Sequence, residues 1–315
     1  MKTLLTNNPK QAAKFIKKAE VVAFPTETVY GLGANAFDES AVKKIFRLKG
    51  RPRDNPLIVH VSGKSQIKII AESVGEIAKE LIDKYFPGPL TVILKKNEII
   101  PDVVTAGLDS IAIRMPLSKP ARDFIKACGV PIAAPSANIS GSPSPTTFRH
   151  VLEDFNGKVP CILIGPHSRY GLESTVIDCT GDIPVVLRPG IITIEELRKT
   201  DKRIKLVKRK GRARSPGTKY RHYSPKAKVI VVKSVPKNKL NMSSAYIGVK
   251  SLLPVYRRKL GMYRRCKSKL DYAKSLFSFF RECDAGGIKT IYAERVEERG
   301  VGLAVMNRLR KAAFG

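Results

Sequence analysis

Pro25-Thr26-Glu27-Thr28 places two hydroxyls and a carboxylate directly after the apolar run Val21-Val22-Ala23-Phe24. Such a run reads as a buried strand, so the polar groups are delivered at its end. Gly31 and Gly33 follow, where backbone can approach a ligand closely. Three further segments have the same design. Lys49-Gly50-Arg51-Pro52-Arg53-Asp54-Asn55-Pro56 is a basic loop ahead of the apolar run Leu57 to Val61, which carries His60. The loop Pro135 to Thr146, with Ser136, Asn138, Ser140 and Ser144, follows the run Val130 to Ala134. Glu173-Ser174-Thr175 leads into Val176-Ile177, and Leu187-Arg188-Pro189-Gly190 comes shortly behind. Cations, hydroxyls and amides gathered at strand ends are the materials of a phosphate cradle in an α/β protein.

Each segment also has a plainer reading. Lys49, Arg51 and Arg53 fit a solvated helix C-terminus, where the helix dipole favours cations. Ser136, Asn138, Ser140 and Ser144 are also common turn formers. His60 inside an apolar run is more often a core histidine than a ligand contact. Arg114 and Arg188, at two further strand ends, tip the balance toward a polyanion site. Gly31, Gly33 and Ala36 match G-x-G-x-x-[GA], but the first helix cap after them is Asp38, an acid that would repel pyrophosphate. No G-x-x-x-x-G-K-[ST] occurs, which excludes a P-loop, and there is neither a Ser/His/Asp ordering nor an HExxH.

The elements that must carry these segments can be read from periodicity. The N-terminal stretch MKTLLTNNPKQAAKFIKKAE reads as a basic amphipathic helix with no secretion-signal core, clearest over residues 9–19. Asp38 caps a second helix with Val42, Ile45 and Phe46 on one face, and Gly50 ends it. Helices are expected over 74–86, 118–128 and 147–155, and strands at 57–61, 90–94, 110–114, 132–134 and in the runs CILIG, TVIDC and VVLRP. Thr193 and Glu196 form a capping box. Residues 201–225 are basic without apolar periodicity and read as a linker. Strands at 228–233 and 289–293 and helices at 272–280 and 302–313 then form a second unit. The expected organisation is a catalytic domain over 1–200, a basic linker or lid over 201–225 and a small domain over 226–315, whose sheet looks incomplete.

Composition limits the classes. The chain has 315 residues with 43% hydrophobic content, enough for two packed cores. No run approaches a membrane span. The five cysteines, Cys128, Cys161, Cys179, Cys266 and Cys283, have no CxxC spacing, so neither a disulfide framework nor a zinc site is expected. The simplest location is cytoplasmic. A net charge of +31 favours polyanionic partners.

The segments PTETVYGLG, KGRPxxxPLIVH, PGPLT, AxRMP, APSANxSG, ESTVID and LRPG, in this order, resemble the Sua5/YrdC family, and Ser215 to Pro225 resembles the linker of its two-domain Sua5 form. The resemblance is dense over about the first 200 residues. It implies an α/β fold with a twisted open mixed sheet and flanking helices, plus a small Rossmann-like C-terminal domain. It implies a nucleotidyltransferase that converts L-threonine, bicarbonate and ATP to threonylcarbamoyl-AMP and pyrophosphate, the first step of t6A modification of tRNA. ATP would contact Lys49, Arg51, Ser110, Ser136, Asn138, Ser144, Arg188 and Tyr220, with Lys49 and Arg51 supplying the catalytic charge. Threonine would contact Thr26, His60, Arg114, Ala134 and Ser174. Mg2+ would ride on the triphosphate, with no protein-held metal. The linker residues Tyr220, His222 and Tyr223 would fold over the mouth of the site. Transient contact with tRNA or with a threonylcarbamoyl-transfer complex is expected, and none with a membrane.

Two competing expectations remain at this level. One is a double-stranded RNA-binding module without catalysis, suggested by the charge. The pairing of Arg114 with a hydroxyl pocket argues against it, because RNA has no carboxylate to clamp. The other is a carbamoyltransferase-like hydrogenase-maturation protein, which would carry zinc-finger cysteines and an acylphosphatase segment; neither is present.

Overall fold

The structure, a computed structural model, describes residues 1–207 and 223–313. Eleven strands within these residues share one sheet. They are β1 (Leu4–Thr6), β2 (Val22–Phe24), β3 (Gly31–Asn35), β4 (Ile58–His60), β5 (Leu90–Lys95), β6 (Ser110–Arg114), β7 (Ile132–Ala134), β8 (Cys161–Leu163), β9 (Thr175–Asp178), β10 (Val185–Arg188) and β11 (Lys205–Leu206). Their order is β1-β8-β2-β3-β7-β4-β6-β5-β9-β10-β11. The sheet is mixed: β4 runs parallel to β6, while β7 and β5 flank that pair in antiparallel sense.

Alternation along β2 shows why helices cover both faces. Val22 and Phe24 pack with Ala12, Ala13 and Ile16 of the helix Pro9–Ile16 and with Phe124 and Ile125 of the helix Lys119–Cys128. Val21 and Ala23 belong to the opposite core, with Val42, Ile45 and Phe46 of the helix Glu39–Lys49. Asp38 caps that helix, its carboxylate accepting from the Ala41 amide at 3.0 Å, and Gly50 closes it at φ +58°. The capping box at Thr193 and Glu196 is formed.

A second sheet is fully parallel in the order β12-β15-β13-β14, built from β12 (Lys228–Val232), β13 (Ser244–Gly248), β14 (Met262–Arg265) and β15 (Thr290–Glu294). The helices Lys269–Ala285 and Val301–Ala313 supply the core on one of its faces. That core also takes in Val29 and Leu172 from the first domain, so the two units share apolar surface.

Three local expectations are corrected. The segment before Pro9 is not helix: Leu4–Thr6 pairs with β8. Gly31–Asn35 forms β3 and the next helix starts after its cap at Asp38, as the case against a dinucleotide motif expected. Lys205–Leu206, inside the stretch expected to be a linker, adds an edge strand to β10. The second sheet has two strands beyond the two expected, β13 and β14, and β14 (MYRR) has no apolar alternation to announce it.

Candidate active site

The register of three strands builds the floor of a cleft. His60 stands opposite Arg114 on β4 and β6, and Ile58 stands opposite Ala134 on β4 and β7. Residues two apart on a strand share a face, as do direct cross-strand partners. Ile58, His60, Arg114 and Ala134 therefore line one surface. Thr26, Thr28, Gly31, Ser136, Glu173 and Ser174 border it, and Arg51, Arg188 and Tyr223 close it. The cavity measures ≈ 60 Å³, and ≈ 600 Å³ when the open solvent at its mouth is counted with it.

Of the two glycines thought to admit a ligand, Gly31 lines the cleft. A Cβ on Gly33 would instead lie 2.5 Å from Ile132 and 2.8 Å from Phe24, so that glycine serves sheet packing.

The turn after β2 is locked onto Arg114. The Thr26 and Thr28 hydroxyls are 2.8 Å apart, and Thr26 Oγ1 donates to the Val29 carbonyl at 2.6 Å. Arg114 Nη1 donates to Thr28 Oγ1 at 2.8 Å, Nη2 to Glu27 Oε1 at 2.6 Å and Nε to the Gly88 carbonyl at 3.4 Å. Arg114 and Glu27 are both buried. A guanidinium has five N–H donors, so two remain for a ligand in the cleft. Across the floor, Ser174 Oγ is 2.7 Å from Thr91 Oγ1 and accepts from Arg188 Nη2 at 3.1 Å. Arg188 Nε donates to the Ser174 carbonyl at 3.1 Å.

His60 is 4% exposed and meets Phe24 edge to face with ring centroids 5.6 Å apart. Burial, reinforced by the charge of Arg114, pushes its pKa down to about 3. It is therefore neutral at physiological pH and serves as a hydrogen-bonding wall, not as an acid.

The basic loop divides into two roles. Arg51 lines the cleft, its Nη2 donating to the carbonyls of Asn55 and Pro56 at 3.2 and 3.1 Å. Burial lowers its pKa to about 10, and Arg188 adds repulsion. Lys49 is 2% exposed and does not line the cavity. Its ammonium donates to the Ser136 carbonyl at 2.6 Å and to the Asn138 carbonyl. Burial first, then the charge of Arg51, holds its pKa well below the usual lysine value. Lys49 thus grips the Ser/Asn loop from beneath, while Arg51 faces the space a ligand would fill. Within that loop, Ser136 Oγ donates to Asn138 Oδ1 at 2.5 Å, and the Asn138 amide donates to the carbonyls of Ile139 and Ser142.

Eight of the expected residues meet at the cavity: Thr26, Arg51, His60, Arg114, Ala134, Ser136, Ser174 and Arg188. Lys49, Asn138 and Ser144 form its buried support. Ser110 is half-buried at the start of β6, four residues from Arg114, and does not line the cavity. Tyr220 and His222 lie outside the described residues. Sequence reasoning did not assign Glu173 to the site, while it expected Tyr223 over the mouth. Glu173 and Tyr223 line the cavity. Asn55, whose carbonyl accepts from Arg51, is 4% exposed, and its amide nitrogen has no hydrogen-bond partner among the described residues. It sits inside the basic-loop motif, where its small polar side chain was the available signal. Three guanidiniums crowd this one cleft, and Arg114 and Arg308 both lower the pKa of Arg188 after burial does. Such mutual repulsion suits a polyanionic occupant.

The Sua5_yciO_yrdC family model, described as telomere recombination, matches residues 14–190, and the model for the C-terminal domain of threonylcarbamoyl-AMP synthase matches residues 192–314. A threonylcarbamoyl-AMP synthase of Pyrococcus abyssi is 47% identical over 96% of this chain and 93% of its own length. One from Bacillus subtilis is 43% identical over 99% of this chain and 95% of its own length. The crystal structure of Pyrococcus abyssi Sua5 complexed with L-threonine superposes with a TM-score of 0.91 at 44% identity, covering 99% of this chain and 98% of that one.

Proposed function

The chain belongs to the Sua5/YrdC family of threonylcarbamoyl-AMP synthases, and we propose that its cleft joins L-threonine, bicarbonate and ATP into threonylcarbamoyladenylate with release of pyrophosphate. The observation that carries the reading is the meeting of two recognition sets in one cavity. Arg114 with the Thr26 and Ser174 hydroxyls suits an amino acid, and Arg51 with Arg188 and Ser136 suits a polyphosphate. The non-catalytic RNA module is not favoured, because the relatives matched along nearly the whole chain are synthases.

Arg114 would take the threonine carboxylate through its two remaining N–H donors, a fork that a lysine cannot present. Ser174 and Thr26 would hold the amine and hydroxyl, Ala134 would lie against the side chain, and neutral His60 would add a polar contact without charge. The threonine amine condenses with bicarbonate to a carbamate, releasing water. A carbamate oxygen then attacks the α-phosphorus, and the bond to pyrophosphate breaks with the electron pair leaving on its bridging oxygen. The carbamate is already anionic, so this step needs alignment and charge neutralisation more than a base. Arg51, Arg188, Ser136 and Asn55 would supply them, with Lys49, Asn138 and Ser144 fixing the loop beneath. Ser110 and Tyr220 remain expected nucleotide contacts.

The donor set does not suit a protein-held Mg2+. Glu27 is committed to Arg114 and Glu173 to Arg308. The ion would arrive on the triphosphate instead. The domain limits 1–200, 201–225 and 226–315 also stay our reading. The five free cysteines fit a reducing, cytoplasmic compartment, and no helix among the described residues is long and apolar enough to cross a membrane. The labile adenylate would pass to a tRNA-modifying complex, which gives this step its place at the start of t6A synthesis.

The test is incubation with ATP, threonine and labelled bicarbonate. Pyrophosphate release should require all three and should match label entering the adenylate. Equal release without threonine would overturn the reading.

A further inference from the structure

The last helix of the second domain sends one side chain into the first. Arg308, on the helix Val301–Ala313, is fully buried. Its Nε donates to Glu173 Oε2 at 3.0 Å and its Nη1 to the Pro189 carbonyl at 2.7 Å. The other oxygen of Glu173 accepts from Ser144 Oγ at 2.5 Å. One guanidinium thus ties together three separate segments of the cleft: Glu173 beside Ser174, Pro189 beside Arg188, and through Glu173 the loop bearing Ser144.

Other contacts from the same domain converge on that loop. Arg281, on the helix Lys269–Ala285, donates through Nη2 to the Pro143 carbonyl at 2.7 Å and to Asp154 Oδ2 at 2.7 Å. Ser278 Oγ is 2.8 Å from Thr146 Oγ1, and at the end of the linker the Ser224 amide donates to the Gly141 carbonyl at 2.8 Å. The first domain supplies the Ser/Asn loop, and the second domain holds its distal half.

Stability alone is a poor account of Arg308. Burying an arginine and a glutamate carries a desolvation penalty that their attraction rarely exceeds, and an apolar pair of similar volume often does as well. What an ion pair does that an apolar pair cannot is fix a carboxylate in one orientation and hold a hydroxyl against it.

We propose that Arg308 is a positioning residue for the nucleotide half of the cleft, acting through Glu173 on Ser144 and through the Pro189 carbonyl on the strand end that bears Arg188. The second domain is then a working part of the active site rather than an appendage. This rests on the assignment of the cleft to ATP and threonine.

The test uses the full chain and steady-state pyrophosphate release, titrating ATP and threonine separately, for the wild type, Arg308→Lys, Glu173→Gln and the double variant. Arg310→Ala, an exposed neighbour paired with Glu298, is the control. Arg308→Lys should raise the ATP KM roughly tenfold or more, the size of one charge-assisted hydrogen bond. The threonine KM should stay within about twofold. Glu173→Gln should show the same split, and the double variant should be little worse than either single, because both break one linkage. If Arg308→Lys does not fold, Glu173→Gln decides alone. A lowered Tm with the ATP KM unchanged, or equal rises in both KM values, would overturn the inference and leave a packing pair. A wild type without threonine-dependent pyrophosphate release would instead overturn the assignment of the reaction.

Discussion

Replacing Arg114 by lysine should damage threonine recognition far more than ATP recognition. Among the described residues the guanidinium spends three N–H donors on Glu27, Thr28 and Gly88, which leaves two. A lysine ammonium has three donors on one atom and cannot serve Glu27, Thr28 and a substrate carboxylate at their separate positions. With Glu27 at 2.6 Å as its strongest partner, the ammonium would stay there. The substrate would then lose at least one charge-assisted bond, about 1.5–3 kcal/mol, which is roughly a 10- to 150-fold rise in threonine KM. The internal cost is smaller: the lost bond to Thr28 is between neutral and charged partners, worth about 1–2 kcal/mol of stability. Initial rates of pyrophosphate release, with threonine titrated at saturating ATP and bicarbonate and then ATP titrated at saturating threonine, separate the two substrates. A threonine KM unchanged in a folded variant, or an ATP KM that rises as far, would refute the assignment of Arg114 and leave it a buried ion-pair residue.

Lys49→Met should act through the loop it holds: two carbonyls lose their donor, so stability should fall by about 2–4 kcal/mol in urea unfolding and turnover by about 10²-fold. Turnover near wild type in the folded variant would remove Lys49 from the machinery. His60 should make the fold acid-sensitive, because its pKa falls from 6.5 to about 3 on folding. The unfolded chain then binds the proton first, so stability is full above pH 6.5 and falls by up to about 1.4 kcal/mol per pH unit toward pH 3. His60→Asn should flatten that slope relative to wild type across a pH series of urea melts, and an unchanged slope would refute it. Tyr220→Ala tests the lid expected over the cleft: turnover should drop with Tm nearly unchanged, and an unaltered rate would leave the linker a tether.

The motifs were legible because each is a change of grammar at a strand end. An apolar run stops, and hydroxyls, amides or cations begin; Phe24 to Thr26, Ala134 to Ser136 and Arg188 to Gly190 all have this form. Gly190 shows how literal such a signal can be, since a Cβ there would lie 2.4 Å from the Thr175 amide and drive β10 away from Ser174. What could not be read was which polar atoms face the ligand and which face one another. Lys49 and Arg51 are two residues apart in one basic loop. One is buried beneath the Ser/Asn loop and the other lines the cleft, and only the position of that loop separates the two roles.

The strands that escaped notice are short and are held from outside. β13 pairs with β15, which lies later in the chain, and β14 pairs only with β13 among the described residues, while later helices cover the sheet, so their own residues carry little local signal. The same reason hides the contribution of the second domain to the site. Glu173 and Arg308 are 135 residues apart, and neither has a neighbour in sequence that forecasts its partner. A carboxylate preceding the Ser174 motif could have been read as a metal ligand, a base or a solvated charge. Its burial against an arginine from the other domain decides otherwise. It makes Glu173 a tie between domains, and the proposed role of Arg308 would make the geometry of the cleft depend on whether the final helix is docked.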